Sequence, residues 1–406
     1  MSATQARLPK LRPIDAQPVV RNGHRSVLLR DPLQLSEKAL FIPPQLGPAL
    51  AMLDGTRELG AIRAALAVRF GLPVALSSLE QLVSALDDAF LLENSRFLGA
   101  QRRALAEYRE APHRPPASAG ASYPKDPDHL RRMLRDYWEA AGDVDPAGAA
   151  RGLICPHIDY ARGGPVYAQV WKPLEEMAQA AEVIVLLGTD HYSEGHLLTL
   201  TTQSYATPLG VLPTAVQAVE SISESMGPER SFAGELHHRA EHSIELAAVW
   251  LQFALHEQPC DIIPVLCGSF EPFVQGEAEP EQEPMIETFL RACRRSIAGR
   301  RALVVAAADL AHVGPAFGGQ PLGLVERARL QSADEALIER IRAGDAGGFL
   351  AEIRSVKDRN NVCGVPPIYL ALRLLEPVRG APVAHLRCPA DEAEASWVTI
   401  CGVVLQ

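Results

Sequence analysis

No stretch of the 406 residues approaches the roughly 18 uninterrupted apolar residues that a membrane-spanning helix needs. The opening MSATQARLPKLRPIDAQ has no apolar signal core either. Together these absences give the expectation of a soluble, cytoplasmic protein. An excess of positive charge is also missing, since 39 Lys and Arg stand against 49 Asp and Glu for a net charge of -10. Neither nucleic acid nor an anionic membrane is therefore expected as a partner. A local basic stretch such as RFLGAQRRALAEYREAPHR reads as a solvated helix. Seven cysteines contain no CxxC pair, which speaks against a zinc knuckle and against a disulfide framework. Most read as reduced core residues. No internal repeat is present. Extensive disorder is not expected at 47% hydrophobic and 22% charged residues, and the length favours two domains over one core.

Residues 1–110 read as a small helical module. Leu59, Ile62, Leu66 and Phe70 recur at intervals of three and four and share one helical face. In SSLEQLVSALDDAF, Ser78 and Gln81 have capping-box spacing, and Leu82, Leu86 and Ala89 continue an apolar stripe. Two such helices with a short ribbon after them suggest a winged-helix-like domain. EAPHRPPASAGASYP, rich in Pro, Ala, Gly and Ser, reads as a linker over 111–124. DPDHLRRMLRDYWEAA then starts a helix at Asp126 or Asp128.

From Arg151 onward, short aliphatic runs (GLICPHI, EVIVLLG, CDIIPVLC, RALVVAAAD, SWVTICGVVLQ) alternate with helical stretches such as HSIELAAVWLQFAL and PPIYLALRLLE. This alternation predicts an α/β domain over 125–406, with a central, largely buried sheet flanked by helices. Glu271 to Pro284 reads as an acidic surface loop.

Ligands of open α/β sheets bind beyond the carboxyl ends of the strands. Three apolar runs here end in polar groups: at His157 and Asp159, with Gly163 and Gly164 expected to turn the chain; at Asp190 and His191; and at Asp309 and His312. A fourth stretch places Glu241, His242 and Glu245 in the first turns of a helix. One histidine after a strand is usually a capping or core residue. Four of the chain's 12 histidines beside acids at such borders raise a metal or acid/base centre to equal standing with that structural reading. His237 and His238 read as a solvated turn, and His196, with Glu194 as its nearest acid, stays outside the site.

These blocks carry a resemblance. ASAGASYP, CPHIDYARGGPVYAQVW, LLGTDHYS, TPLGVLPT, EHSIELAAVWLQ, AAADLAHVG, VCGVPPIYLAL and WVTICGVV follow the order found in the Memo family, whose bacterial and archaeal members are called AmmeMemoRadiSam system protein B. The first 110 residues resemble a PqqD-like module through LDGTRELGAI and SLEQLVSALDDAFLLENSRF. The Memo resemblance implies a fold like that of class III extradiol dioxygenases and a metal in the cleft, Fe(II) or a copper ion. By the same resemblance the metal ligands fall on His157, His191 and Cys363, and Asp309, His312 and His242 stand beside them. Without the resemblance Cys363 reads as a buried core thiol.

Two functions follow. One is a non-heme, dioxygenase-like oxidoreductase whose general acid/base is His312, oriented by Asp309, with His242 as second candidate. Its implied partners are an AMMECR-type protein and a radical SAM protein, and the PqqD-like module implies a peptide ligand. The other is a metal- or partner-binding protein on the same scaffold without turnover; a hydrolytic metal site is a lesser option. A thiolate at the third position makes ordinary ring cleavage less natural, and it leaves Asp159, Asp190 and Glu245 as possible further ligands.

Overall fold

The computed structural model describes residues 7–406 apart from 22 and 194. The chain divides into two compact units, the second running over Ala111–Gln406. In the first unit, β1 (Asp15–Arg21), β2 (His24–Arg30) and β3 (Leu40–Ile42) form an antiparallel sheet in that order. Helices Leu59–Phe70, Leu76–Asp88 and Ser95–Glu110 follow it. Leu59, Ile62 and Leu66 are buried with Leu79, Leu82 and Leu86 in one core, but Phe70 is half exposed and ends the stripe early. The sheet thus precedes the helices, where a ribbon after them was expected. The second helix also starts ahead of Ser78, from Ala75, so Ser78 and Gln81 form no capping box.

The second unit is α/β. Its strands are β4 (Gly152–Cys155), β5 (Val183–Thr189), β6 (Leu198–Leu200), β7 (Tyr205–Thr207), β8 (Gly210–Leu212), β9 (Ile262–Cys267), β10 (Ala302–Ala307), β11 (His312–Val313), β12 (Gly380–Pro389) and β13 (Trp397–Leu405). One sheet runs β11-β13-β4-β10-β5-β9-β6, with β12 also on β13, while β7 and β8 pair separately. β4, β10, β5 and β9 are parallel, and the flanking strands are antiparallel. Helices cover both faces, so neighbouring residues of a strand enter different cores. Val183, Val185 and Leu187 pack on one side and Ile184 and Leu186 on the other, which is why the parallel strands read as unbroken aliphatic runs.

Three local expectations are corrected. Residues 111–124 are not a free linker: Arg114 is wholly buried, and Glu245 ties it down together with Ala117, Ser118 and Tyr123. Gly163 and Gly164 do not turn the chain but lie in the helix Tyr160–Trp171, where a Cβ on Gly164 would sit 2.3 Å from the Tyr137 ring. The acidic loop after Glu271 contains the short helix Glu271–Val274, with Phe273 and Val274 buried. Asp126 caps the helix Pro127–Ala140 by accepting from the His129 N–H.

Candidate metal centre

Strand order creates the site. β10 lies between β4 and β5, and Cys155, Ala307 and Gly188 are level in the ladder. Two residues further on, His157, Asp309 and Asp190 therefore leave the carboxyl edge side by side, with His191 next. Asp309 ties two of these ends together by accepting from the His157 backbone N–H at 2.8 Å.

Two close backbone approaches add the remaining groups. A Cβ on Gly188 would lie 2.6 Å from both Ile244 Cγ1 and Ser243 Oγ, so only glycine lets the start of the helix Ser243–Ala254 settle on β5. That contact brings Glu241 and His242 to His191. Likewise, a Cβ on Gly364 would sit 2.4 Å from the Asp309 carbonyl oxygen, and the Gly364 N–H donates to that oxygen at 3.1 Å. Cys363 is thereby pressed against the end of β10, its own carbonyl accepting from Thr189 Oγ1 at 3.2 Å.

His157 donates from Nδ1 to the Ala307 carbonyl at 3.0 Å, which leaves Nε2 facing Cys363 Sγ at 3.2 Å. Glu241, fully buried, accepts from Nδ1 of His191 and from Nδ1 of His242, each at 3.1 Å. Both of those rings then present Nε2 to the centre. The rings of His191 and His242 stack at 4.8 Å, and His157 stands edge-on to them at 5.0 and 5.5 Å. One nitrogen from each lies within 4.8 Å of the others, close enough for the three to hold a metal ion.

The electrostatics follow from this crowding. Burial acts to keep the Cys363 thiol protonated, but His157 and His312 hold it well below the ordinary thiol value. Burial disfavours charge on His157, yet Asp309 and Cys363 raise it to about 9. For His191, burial is outweighed by Glu241 and Cys363, and its value is raised. His312 is raised by Cys363 against burial. Beside the cluster opens a cleft of about 430 Å³ whose walls include His191, Cys363, Ser269, Phe270, Lys357 and Asn361.

A family model described as Memo-like protein matches residues 114–396. The chain belongs to the Memo family. A MEMO1 family protein of Thermus thermophilus is 29% identical over 319 residues, covering 78% of this chain and 90% of the relative. Another from Aquifex aeolicus is 26% identical over 310 residues, with 76% and 77% covered, and one from Methanosarcina barkeri is 29% identical over 284 residues, with 70% and 94% covered.

Within this Memo domain the structure brings His157, His191, Cys363, His242 and Asp309 to one centre. It also alters several roles. His242, expected as an acid/base, has a nitrogen within ligand distance of His157 and His191. Asp309 does not orient His312; its carboxylate serves His157, while His312 Nδ1 faces the Leu310 carbonyl at 3.3 Å and its ring meets Phe317 edge-on. Asp159 and Glu245 are not ligands: Asp159 caps the helix Tyr160–Trp171 and pairs with Arg162, and Glu245 pairs with Arg114 at 2.5 Å. Asp190 accepts from His237 Nδ1 at 2.8 Å. His237 and His238 are buried, so neither belongs to a solvated turn. His196 lies near His237 at 6.3 Å between rings, and Glu194 falls outside the described residues. Glu241, grouped with His242 and Glu245 on sequence, was given no role in the site, yet it holds both His191 and His242. Its signal was present, because a glutamate immediately before a site histidine can serve both that residue and a neighbour.

Proposed function

We propose that this Memo-family chain is a non-heme metal oxidoreductase holding one redox-active ion, Fe(II) or copper, between His157, His191 and Cys363, with His242 at the same centre. The observation that carries this reading is Glu241, which holds two imidazoles by Nδ1 and so aims both Nε2 atoms at the place where His157 Nε2 and Cys363 Sγ meet. The donor set fits: imidazole and thiolate suit copper, iron or zinc, and they do not suit magnesium or calcium. An ion of this class supplies one-electron chemistry and activation of O2. The protein's share is to fix the imidazole tautomers through Ala307 and Glu241, to keep Cys363 as thiolate, and to hold a proton at His312 beside it. The cleft walled by Cys363 and His191 would take the substrate. Family likeness to class III extradiol dioxygenases supports O2 chemistry, while the thiolate argues against ordinary ring cleavage.

The test is metal content of protein purified without oxygen, followed by oxygen uptake after Fe(II) or Cu(I) loading. Stoichiometric metal with O2 consumption is the expected result. Metal without O2 chemistry would favour the second reading, a non-catalytic metal- or partner-binding protein; the absence of bound metal would overturn the metal centre and leave only the partner-binding form of that second reading. The family's system name supports an AMMECR-type protein and a radical SAM protein as partners, testable by co-purification. A peptide ligand for the first unit is supported by β1, a sheet-edge strand paired on one side only among the described residues.

A further inference from the structure

The second unit has another cleft, of about 380 Å³, which shares a wall with the first. Residues 356–361 form that wall. Lys357 and Asp358 line the cleft beside Cys363, Val356, Arg359 and Asn360 line the other, and Asn361 lines both. The wall is held in an uncommon shape, with Lys357, Asp358 and Asn361 in the left-handed region at φ of 50, 46 and 48°. It is stitched to β11: Asn361 Nδ2 donates to the His312 carbonyl at 3.1 Å, and the His312 N–H donates to the Asn360 carbonyl at 2.8 Å.

The chemistry of this second cleft differs from that of the first. Val313, Leu322, Leu330, Ala333 and Val356 give it an apolar lining. Two guanidinium groups, those of Arg329 and Arg359, stand on it, and neither makes a hydrogen bond or ion pair among the described residues. The single carboxylate present, Glu326, lies at the start of the helix Leu324–Ala343, with Oε2 only 2.7 Å from where a Cβ on Gly323 would be. The same helix carries Arg329 and Leu330, and it is fixed to the sheet by buried Asp334, which accepts from Thr399 Oγ1 and His385 Nε2, both at 3.2 Å. Arg329 thus projects from a rigid support.

We propose that this cleft is a second binding site, taking a small carboxylate with an apolar body, its charge held between Arg329 and Arg359 and its body laid on the apolar lining. Guanidinium groups match carboxylates in shape and charge, and a volume of this size suits a ligand of modest length. Two cations against one glutamate leave a net charge of one to neutralise. A bare inorganic anion would satisfy the arginines and leave the apolar wall uncovered. The site does not depend on the metal centre, although it lies one wall away from His312.

Titration calorimetry of the full chain with hexanoate tests the proposal, with hexanol and inorganic phosphate as the two halves of the ligand presented separately. Saturable hexanoate binding is expected, weakened about tenfold or more in the Arg329→Gln/Arg359→Gln variant, with phosphate and hexanol failing to saturate over the same range. Metal content and circular dichroism of that variant are expected to match the parent, since both side chains are exposed and neither touches the cluster. Hexanoate held by a metal instead would bind the variant unchanged, and that result would overturn the assignment. So would phosphate binding as tightly as hexanoate, or no saturable binding of hexanoate.

Discussion

Glu241 accepts hydrogen bonds from both the backbone N–H and the Nδ1 of His191, at 3.0 and 3.1 Å, from a fully buried position. It also accepts from the N–H groups of His242 and Ser243, at 2.7 and 3.0 Å, and from His242 Nδ1 at 3.1 Å, so one carboxylate closes the start of a helix and fixes two imidazoles. Burial resists its charge, but His191 and His242 hold its carboxyl well below the ordinary range. It is therefore ionised when it orients them.

Glu241→Gln is expected to lower metal affinity by about 10- to 100-fold, because an amide cannot accept from both imidazoles with the strength of a carboxylate. Competition with a chelator of known affinity measures this. Unchanged affinity would mean that the rings need no such support.

Substituting the donors separates the centre from its surroundings. His157→Ala, His191→Ala and Cys363→Ser are expected to lose or alter bound metal, with His237→Ala retaining it because that ring is committed to Asp190. Elemental analysis reads the result. Retention by all four variants would remove the centre from where it is drawn.

Gly364→Ala tests how Cys363 is delivered. A Cβ there meets the Asp309 carbonyl oxygen at 2.4 Å and Ala308 Cβ at 2.8 Å, and neither is the end of a flexible side chain. We expect about 1–3 kcal/mol of destabilisation together with weaker metal binding. Full metal affinity in a normally stable variant would show that the turn tolerates displacement.

Arg114 and Glu245 predict the behaviour of the segment before the α/β core. Arg114→Met leaves Glu245 buried without its ion-pair partner and is expected to cost about 3–5 kcal/mol. Denaturant unfolding measures the loss. A chain beginning at Asp126 lacks Arg114, Ala117, Ser118 and Tyr123 together and is expected to be less stable still.

His238 gives a pH signature. Burial lowers its value from 6.5 to about 3, against the raising effect of its Nε2 bond to the Thr199 carbonyl. Between those two pH values the unfolded chain takes up a proton that the folded chain refuses, so stability falls as pH falls across that window. The slope is about 1.4 kcal/mol per pH unit for the one group. His238→Gln is expected to remove that share of the acid lability, read as the difference between the unfolding free energies of the two proteins from pH 6.5 downward. Equal slopes would show that His238 is protonated in the folded state.

Much of this was legible in the sequence where a local rule applies. The strands β4, β5, β9, β10 and β13 appear as aliphatic runs because both faces of the sheet are covered, and Asp126 announces its helix by capping chemistry. His157, His191, Asp309 and Cys363 were recognisable because family blocks keep their order along the chain. Asp159 and Glu245 misled for a corresponding reason. An acid beside an apolar element has the same appearance whether it faces a metal, a helix N-terminus or a buried arginine.

The sequence alone determined the alternation of buried strands and helices, and with it the α/β class, because burial on both faces and helical periodicity are written in neighbouring residues. Only the tertiary structure decided that β10 lies between β4 and β5, that Gly188 and Gly364 admit two backbone contacts, and that Glu241 reaches His191 from 50 positions away. Those relations join segments remote in sequence. They depend on strand order and on the space a missing side chain leaves, neither of which has a local signature.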